Sequence, residues 1–365
     1  MLKLLLPLLF FLPLMAKDPG FYVWQRQQDA KVEKAVGDFC KESDGRLYFL
    51  AGEMENNGRM IRISPPGFIP FARSVPVFRI HINNMKLSPA ILAEKIAGAY
   101  KAWQLCQALQ IDLDCPEAKL DYYTTLMQEL RKKFPGIELS ATVLPCHLNH
   151  PEKFKKLAGS CDFFVLQVHA LARNKDFWFI LDRNIAVTAV EKADRINRPY
   201  QVALPFYSHL IKGKAVYPDP EVISEIVSLT QKSRYAIGLI AFRLQLDGEY
   251  DVLDMLTALN LCRGGKYAPE LVTSWEKQPG GSWLLYLENR GFFVHKTTLQ
   301  CRWEKGFAIH DAKTFNRAEL TVDRSKLTLF LPPPGKKMAV LWLRTDENND
   351  LDKNNPLTVK ENAEL

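Results

Sequence analysis

The stretch LQIDLDCPEAK, Leu109 to Lys119, joins an apolar run of strand character to the start of a helical stretch. Its two acids, Asp112 and Asp114, are two residues apart, so in a strand both side chains point to the same face. The residues from Pro116 onward, PEAKLDYYTTLMQELRKKF, have the spacing of an amphipathic helix. A strand that runs into a helix is half of a β-α-β unit, from which parallel sheets are built.

The same unit repeats along the chain. Between most of the β-rich runs lie helical stretches such as SPAILAEKIAGAYKAWQLCQ, in which Ser88 and Pro89 supply an N-cap and a first-turn proline. No Gly-x-Gly-x-x-Gly turn follows the first strand, so an open dinucleotide-binding sheet lacks support. We therefore predict an α/β fold, a (β/α)8 barrel of the TIM type over residues 17–263. Its eight strands are predicted in FYVWQRQ, RLYFLAGEM, VPVFRIHIN, ALQIDLDC, IELSATVLP, CDFFVLQVHAL, YQVALPFYS and AIGLIAFRLQ.

The two ends of the chain differ from this pattern. Residues 264–345 contain Gly-rich turns and β-type runs such as SWLLYLEN and MAVLWLR, which predict a small all-β, sandwich-like domain. Residues 346–365 are polar and are predicted to form a flexible tail. Residues 1–16, MLKLLLPLLFFLPLMA, have an early Lys3, an apolar centre and a small Ala16, as in a signal peptide. We expect an exported protein, periplasmic or secreted, without a transmembrane segment after signal removal.

Composition narrows the classes of partner. The net charge of +7 is spread along the chain without a nucleic-acid-binding motif, so we expect a solvated surface and no nucleic acid partner. The seven cysteines match no zinc spacing, and buried free thiols are favoured, although an exported chain could form disulfides. We predict no resident metal and no cofactor.

Polar residues follow apolar ones on one face of six predicted strands. In TIM-type barrels the C-terminal ends of the strands meet at the mouth that carries the active site, so we expect these residues to converge there. The inward faces are predicted as Gln110 with Asp112 and Asp114; Val75 and Val77 with Arg79 and His81; Phe49 and Ala51 with Glu53; Val165 with Gln167 and His169; Pro205 with Tyr207; Ala241 with Arg243.

Three chemistries could use such a site. Glycoside hydrolysis needs two carboxylates, and either Asp114 with Asp112 or Asp114 with Glu53 could supply them. Aromatic residues near the mouth would then suit sugar faces; the candidates are Trp24, Tyr122, Tyr123 and Tyr207. A metal-dependent hydrolase would use His81, Asp112, Asp114 and His169, but it usually shows a His-x-His or His-Glu-x-x-His pattern, which this chain lacks. The third possibility is a barrel that binds a ligand without turnover.

The ordered set FYVWQRQ, LYFLAGE, VPVFRIHI, LQIDLDCPEAKLDYY, LQVH and VALPFYS resembles a bacterial family catalogued as domain of unknown function 3142. The resemblance extends from about Phe21 to about Leu261. It implies an exported barrel, and it does not indicate which activity the barrel has. More loosely, LQIDLDCPE is similar to the Asp-x-x-Asp-x-Asp-x-Glu motif of chitinase-like barrel glycosidases. Asp112 and Asp114 match its second and third acids. Leu109 stands at the first acid and Pro116 at the catalytic Glu, while Glu117 is displaced by one residue.

These observations favour a glycoside-hydrolase-like protein that acts on or binds a carbohydrate or cell-envelope glycan. Asp114 is the candidate acid or base, Asp112 orients it and tunes its pKa, and Glu53 is the second carboxylate. The candidate ligands of substrate hydroxyls are Arg79, His81, Gln167, His169, Tyr207 and Arg243. The alternatives are a non-catalytic glycan-binding or envelope-assembly protein on the same scaffold and a metal-dependent hydrolase. The oligomeric state and the sugar are left open.

Overall fold

The computed structural model describes residues 18–173, 178–211, 214–249, 251–265, 270–290, 296–303, 308–316, 318–330, 337–346, 351 and 356–359. The predicted signal peptide lies outside the described residues, as does most of the predicted tail. None of the helices within this described part is both long and apolar enough to span a membrane.

Eight parallel strands form a closed barrel, as predicted. Each strand pairs with the next, and the first strand pairs with both the second and the eighth, which closes the sheet. All of the strands except the second end earlier than the β-rich runs suggest, because the last residues of those runs enter the loops of the mouth. Their bounds are β1 Gly20–Val23, β2 Leu47–Met54, β3 Ser74–Ile80, β4 Ala108–Asp112, β5 Glu138–Val143, β6 Phe163–Gln167, β7 Tyr200–Pro205 and β8 Ala236–Phe242.

Helices follow every barrel strand except β2. A short antiparallel strand, Met60–Arg62, and a 3-10 turn, Phe71–Arg73, connect β2 to β3 instead. Ser88 caps its helix and Pro89 begins it, as predicted. The first and last helices were not among the predicted stretches. The helices are α1 Ala30–Glu42, α2 Pro89–Tyr100, α3 Leu120–Lys133, α4 Pro151–Gly159, α5 Arg183–Asp194, α6 Pro220–Lys232 and α7 Met255–Cys262.

Shorter elements occupy the remaining connections of the barrel. Two hairpins follow β6 and β7 at the C-terminal side of the sheet: Ala172–Arg173 with Trp178–Phe179, and His209–Ile211 with Lys214–Val216. Further 3-10 turns span Ile82–Lys86, Lys101–Trp103, Glu117–Lys119 and Pro145–Asn149.

The barrel separates two apolar cores. An outer core lies between the sheet and the helices and includes Phe49, Phe78 and Trp103. An inner core fills the barrel with side chains from alternate strand positions: Tyr22, Tyr48, Val75, Val77, Ala108, Phe163, Val165, Ala203 and Ile240. Because successive strand residues face opposite cores, the inner set identifies which residues can reach the mouth.

The C-terminal part consists of antiparallel strands in two four-stranded sheets. The strands are β9 Leu271–Gln278, β10 Ser282–Asn289, β11 Lys296–Cys301, β12 Ile309–Thr314, β13 Glu319–Leu320, β14 Lys326–Phe330, β15 Lys337–Thr345 and β16 Leu357–Val359. The orders of the strands in the two sheets are β9-β10-β15-β12 and β13-β14-β11-β16. Leu285 of the first sheet and Leu299 and Leu327 of the second share one buried core, which confirms the sandwich-like fold.

The prediction of a flexible tail is wrong at two points. Strand β16 pairs with β11 inside the region that was expected to be unstructured, and Leu351 is buried in the sandwich core. The polar residues around LTV dominate the composition, yet a three-residue strand with high β-propensity suffices to pair with an open sheet edge. The boundaries predicted for the domains otherwise stay predictions.

Candidate active site

Asp112 is the last residue of β4 and lies at the mouth of the barrel, 7% exposed. Its Oδ1 accepts hydrogen bonds from Thr142 Oγ1 at 2.8 Å and from Gln167 Nε2 at 3.1 Å. Its Oδ2 accepts no hydrogen bond from the described residues. Burial and the nearby charge of Asp114 raise the pKa of Asp112 to about 6, although the two hydrogen bonds and the Arg79 charge oppose this rise. Asp112 therefore exchanges a proton close to neutral pH.

A polar layer supports Asp112 from inside the barrel. Gln110, two residues earlier in β4, is fully buried and accepts a 2.7 Å hydrogen bond from the hydroxyl of Tyr22. Its amide donates to Ser140 Oγ at 3.3 Å. Gln110 and Asp112 thus share the inward face, as predicted, and the layer below the carboxyl is fixed by hydrogen bonds on three strands.

Asp114 lies beyond the end of β4, in the loop toward α3, and is exposed. No described residue donates a hydrogen bond to its carboxylate. Its charge acts on Asp112 and raises the pKa of that residue. Glu117 does not join the two aspartates, because its Oε1 lies 3.3 Å from Asn149 Nδ2 and 3.7 Å from His150 Nε2.

Glu53 reaches the mouth by a route that strict alternation does not predict. Phe49 and Ala51 were expected to share its face, but both pack in the outer core. The register between β2 and β3 shifts between Leu50 and Gly52. Leu50 pairs with Val77 and Gly52 pairs with Phe78, so β2 has one extra residue between these two pairs. This β-bulge adds one residue and turns Glu53 inward.

Two arginines bind Glu53. Arg26 donates from Nε at 2.9 Å and from Nη2 at 2.6 Å to Oε2, and Arg79 Nη1 lies 3.5 Å from Oε1. The sequence left open that Arg79 neutralises Asp112 or Asp114. The structure pairs it with Glu53 instead, although Arg79 and Asp112 are register partners on β3 and β4.

An aromatic cluster forms the opposite side of the mouth, on β1, β6, β7 and β8. Phe242 lies at its centre, with ring centroids 5.4 Å from Trp24, 5.5 Å from Tyr22 and Tyr207, and 5.6 Å from His169. Tyr122 and Tyr123 are not part of it. Their hydroxyls donate to the backbone carbonyls of Leu87 and Ile111, around α3.

His169 and Tyr207 converge as predicted. His169 Nδ1 lies 3.2 Å from the Tyr207 hydroxyl, and burial lowers the pKa of His169 to about 4. Its Nε2 is buried and has no hydrogen-bond partner within the described part of the chain. Burial raises the pKa of Tyr207 to about 12. Both side chains are therefore neutral near pH 7, and His169 retains one free ring nitrogen.

Two other predicted binding residues lie apart from this cluster. Ala241 packs in the outer core and Ile240 in the inner one, so the predicted inward phase of β8 is wrong and Phe242 replaces Arg243 on the inward face. Arg243 pairs with Glu249 at 2.8 Å in the loop after β8. His81 is exposed after β3, and its Nδ1 accepts the backbone N–H of Asn83 at 3.2 Å.

Sequence reasoning missed Thr142, Arg26 and Phe242. Thr142 could have been found from the alternation of Ser140 and Thr142 in β5, whereas Arg26 and Phe242 carried no comparable signal. Among the described residues, no group of three or more His, Cys, Asp or Glu side chains could hold a metal ion. His81, Asp112, Asp114 and His169 therefore do not form the site that a metal-dependent hydrolase would need.

The fold has relatives among solved structures. The spore cortex-lytic enzyme SleL of Bacillus cereus is similar over 69% of this chain and 75% of its own, with a TM-score of 0.50 and 11% identity. SleL of Bacillus megaterium QM B1551 covers 63% of this chain and 72% of its own, at a TM-score of 0.48 and 12% identity. The ICChI chitinase of Ipomoea carnea is similar over 67% of this chain and 99% of its own, with a TM-score of 0.41 and 11% identity. At such identities, the first similarity establishes a barrel fold shared with this chain.

No curated protein matches the sequence significantly. A family match exists, however, and it begins just before β3 and ends in α6, a narrower span than the resemblance suggested. It includes Asp112 and His169 but neither Glu53 nor Phe242. Residues 73–226 of this chain match the domain of unknown function DUF3142, the family that the sequence resemblance indicated.

Proposed function

We propose that this chain is an exported, glycoside-hydrolase-like protein that binds and cleaves a carbohydrate at the C-terminal mouth of its barrel. The observation that carries the proposal is the position of Asp112, a buried carboxyl with a pKa of about 6, at the same mouth as the aromatic cluster around Phe242. Carboxyl groups with raised pKa values serve as proton donors in glycosidases, and aromatic rings pack against the apolar faces of sugars.

In the proposed reaction Asp112 is the general acid and Asp114 the second carboxylate. Asp112 would donate its proton from Oδ2 to the glycosidic oxygen, while Thr142 and Gln167 hold Oδ1. Asp114, exposed beside it, would stabilise the positive charge on the sugar ring or activate water. This exchanges the roles that the sequence suggested, because Asp112, not Asp114, is buried.

A non-catalytic glycan-binding protein is the second candidate. The pairing of Glu53 with Arg26 and Arg79 favours it, because a carboxylate bound by two guanidinium groups is a poor base or nucleophile. Pro116, at the position of the catalytic Glu in the chitinase-like motif, points the same way. In this case the same mouth would hold a cell-envelope glycan without cleaving it.

The test measures binding and turnover together. Purified protein lacking residues 1–16 is mixed with polysaccharides and cell-wall fragments, with wild type beside Asp114→Asn. We expect the variant to retain binding and lose turnover. Binding without turnover in either protein would establish the non-catalytic candidate, and absence of binding to every glycan would refute both.

Export is tested separately, by determining the N-terminus of the chain expressed with its first sixteen residues; we expect it near Lys17.

A further inference from the structure

A cavity of about 550 Å³ lies at the mouth, on the side formed by β1, β2 and β3. Trp24, Gln25 and Arg26 line it from the loop after β1, Glu53 from β2 and Arg79 from β3. Because Arg79 is the register partner of Asp112, the cavity adjoins the position of the proposed proton transfer. A ligand held at Asp112 could extend into it.

The cavity is lined by two guanidinium groups and two carboxylates, and Arg79 is the more weakly held of the two arginines. Arg26 donates hydrogen bonds to Glu53, whereas Arg79 lies 3.5 Å from it and donates no hydrogen bond to any described residue. Asp29 also lines the cavity. Its Oδ1 accepts the backbone N–H groups of Lys31 and Val32 at the start of α1, where the helix dipole offsets its charge.

Gln25 supplies a second, independent observation. Its Nε2 and Oε1 are both buried, and neither has a hydrogen-bond partner among the described residues. An unpaired buried amide costs free energy, which a ligand recovers if it accepts from Nε2 and donates to Oε1. A carboxylate accepts from Nε2 and from the arginines, and a neighbouring hydroxyl donates to Oε1. Trp24 also lines the cavity and could pack against the same ligand.

We propose that this cavity binds the carboxylate of an acidic sugar, so that the glycan recognised at the mouth carries a carboxyl-bearing residue next to the position of Asp112. The inference rests on the proposed carbohydrate-binding function and specifies its substrate class. A guanidinium and a carboxylate form charge-assisted hydrogen bonds. Arg79 can make them, because it contacts Glu53 only as an ion pair at 3.5 Å and donates none of its N–H groups to a described residue.

The test compares matched pairs of oligosaccharides by calorimetry. The pairs are trigalacturonate with its carboxyl-reduced form, and N-acetylglucosaminyl-N-acetylmuramate with chitobiose. We expect one acidic member to bind at least about tenfold more tightly than its neutral partner. Which pair shows the preference distinguishes a uronate from a lactyl carboxylate.

Three variants assign the preference to the cavity. Arg79→Gln should reduce the affinity for the acidic sugar to that for the neutral one. Glu53→Gln should tighten acidic binding severalfold, because it removes the competing charge and keeps an acceptor for Arg26. Arg183→Gln is the matched control, since Arg183 loses an exposed pair with Glu225 on the helical side and should not alter the preference.

The outcomes separate the two proposals. Equal binding of acidic and neutral sugars would overturn the inference and leave the proposed function standing. A preference that persists in Arg79→Gln would overturn the assignment to this cavity. Absence of binding to both members of both pairs would overturn the inference and count against the proposed function as well.

Discussion

The two ends of the barrel have cavities of similar size, but their polar groups differ in whether they have hydrogen-bond partners. The cavity at the N-terminal end, about 500 Å³, is lined by Arg46, which is paired with Glu138, and by Gln201, which accepts the Tyr48 hydroxyl at 2.7 Å. The mouth, in contrast, holds a raised carboxyl pKa and unpaired buried groups.

The contrast extends along the loops. In the described part of the chain, buried side-chain atoms without a hydrogen-bond partner occur in Gln25, Gln28, Asn84 and His169, each of which follows the C-terminal end of a barrel strand. Unsatisfied groups cost stability, so their collection at one end supports the proposed ligand site at this end. Four predictions test this difference.

The largest effect should come from Asp112→Asn. If Asp112 is the general acid, the variant should lose about 10²- to 10⁴-fold in the rate of glycan hydrolysis, measured as reducing ends released. Asp162→Asn is the matched control, because Asp162 lies at the N-terminal end and accepts the backbone N–H of Leu139 at 2.7 Å. An equal loss of rate in both variants would contradict the functional contrast between the ends.

The same substitution should stabilise the protein at neutral pH. The native state holds the Asp112 proton up to a pH of about 6, while the unfolded chain loses it near 3.8. Native protein therefore binds more protons between these values, and the wild-type free energy of unfolding falls as pH rises through them. Asp112→Asn should gain up to about 3 kcal/mol over wild type at pH 8 and little at pH 4, measured by urea unfolding. A gain that is independent of pH would contradict the assignment.

His169 should make the free energy of unfolding depend on pH in the opposite direction. The unfolded chain binds its proton near pH 6.5 and the native state only near pH 4, so wild-type stability falls as pH drops between these values. His169→Asn keeps an acceptor for Tyr207 and removes this pH dependence. Relative to wild type, its free energy of unfolding should be about 3 kcal/mol more favourable at pH 4 than at pH 8, measured by urea unfolding. A difference in unfolding free energy that is the same at pH 4 and pH 8 would contradict this assignment.

The smallest effect should separate two tyrosines. Tyr48→Phe leaves Gln201 without its donor and should cost about 1 kcal/mol of unfolding free energy with little change in sugar affinity. Tyr207→Phe, in the aromatic cluster, should weaken sugar binding with a smaller change in stability. Urea unfolding and calorimetry on both variants test this pair, and a reversed pattern would remove the distinction between the ends.

Much of the fold could be predicted because local chemistry determines it. Apolar runs with period two predicted eight strands, and Ser88 with Pro89 predicted where α2 begins. The first helix was missed although Val32, Val36 and Phe39 repeat at helical spacing and are buried. The polar stretch before it, QRQQDAK, led the strand prediction past the true end of β1 at Val23.

The site was predicted where alternation holds and missed where it fails. Gln110 and Asp112, and Val165 and Gln167, lie on the inward face because their strands are regular there. Glu53 was assigned the right face for the wrong reason, because a bulge that sequence patterns do not show inserts one residue into β2. In β8 the inward residue is Phe242, one position away from the predicted phase.

The sequence alone determined the strands, the barrel and the presence of acids at its C-terminal end, because periodicity and helix capping depend on neighbouring residues. Only the tertiary structure decided which groups meet. Arg26 binds Glu53 across 27 positions, and Gln167 binds Asp112 across 55. Barrel closure brings these side chains together, and the burial that results raises the pKa of Asp112, which depends on surroundings contributed by the whole barrel.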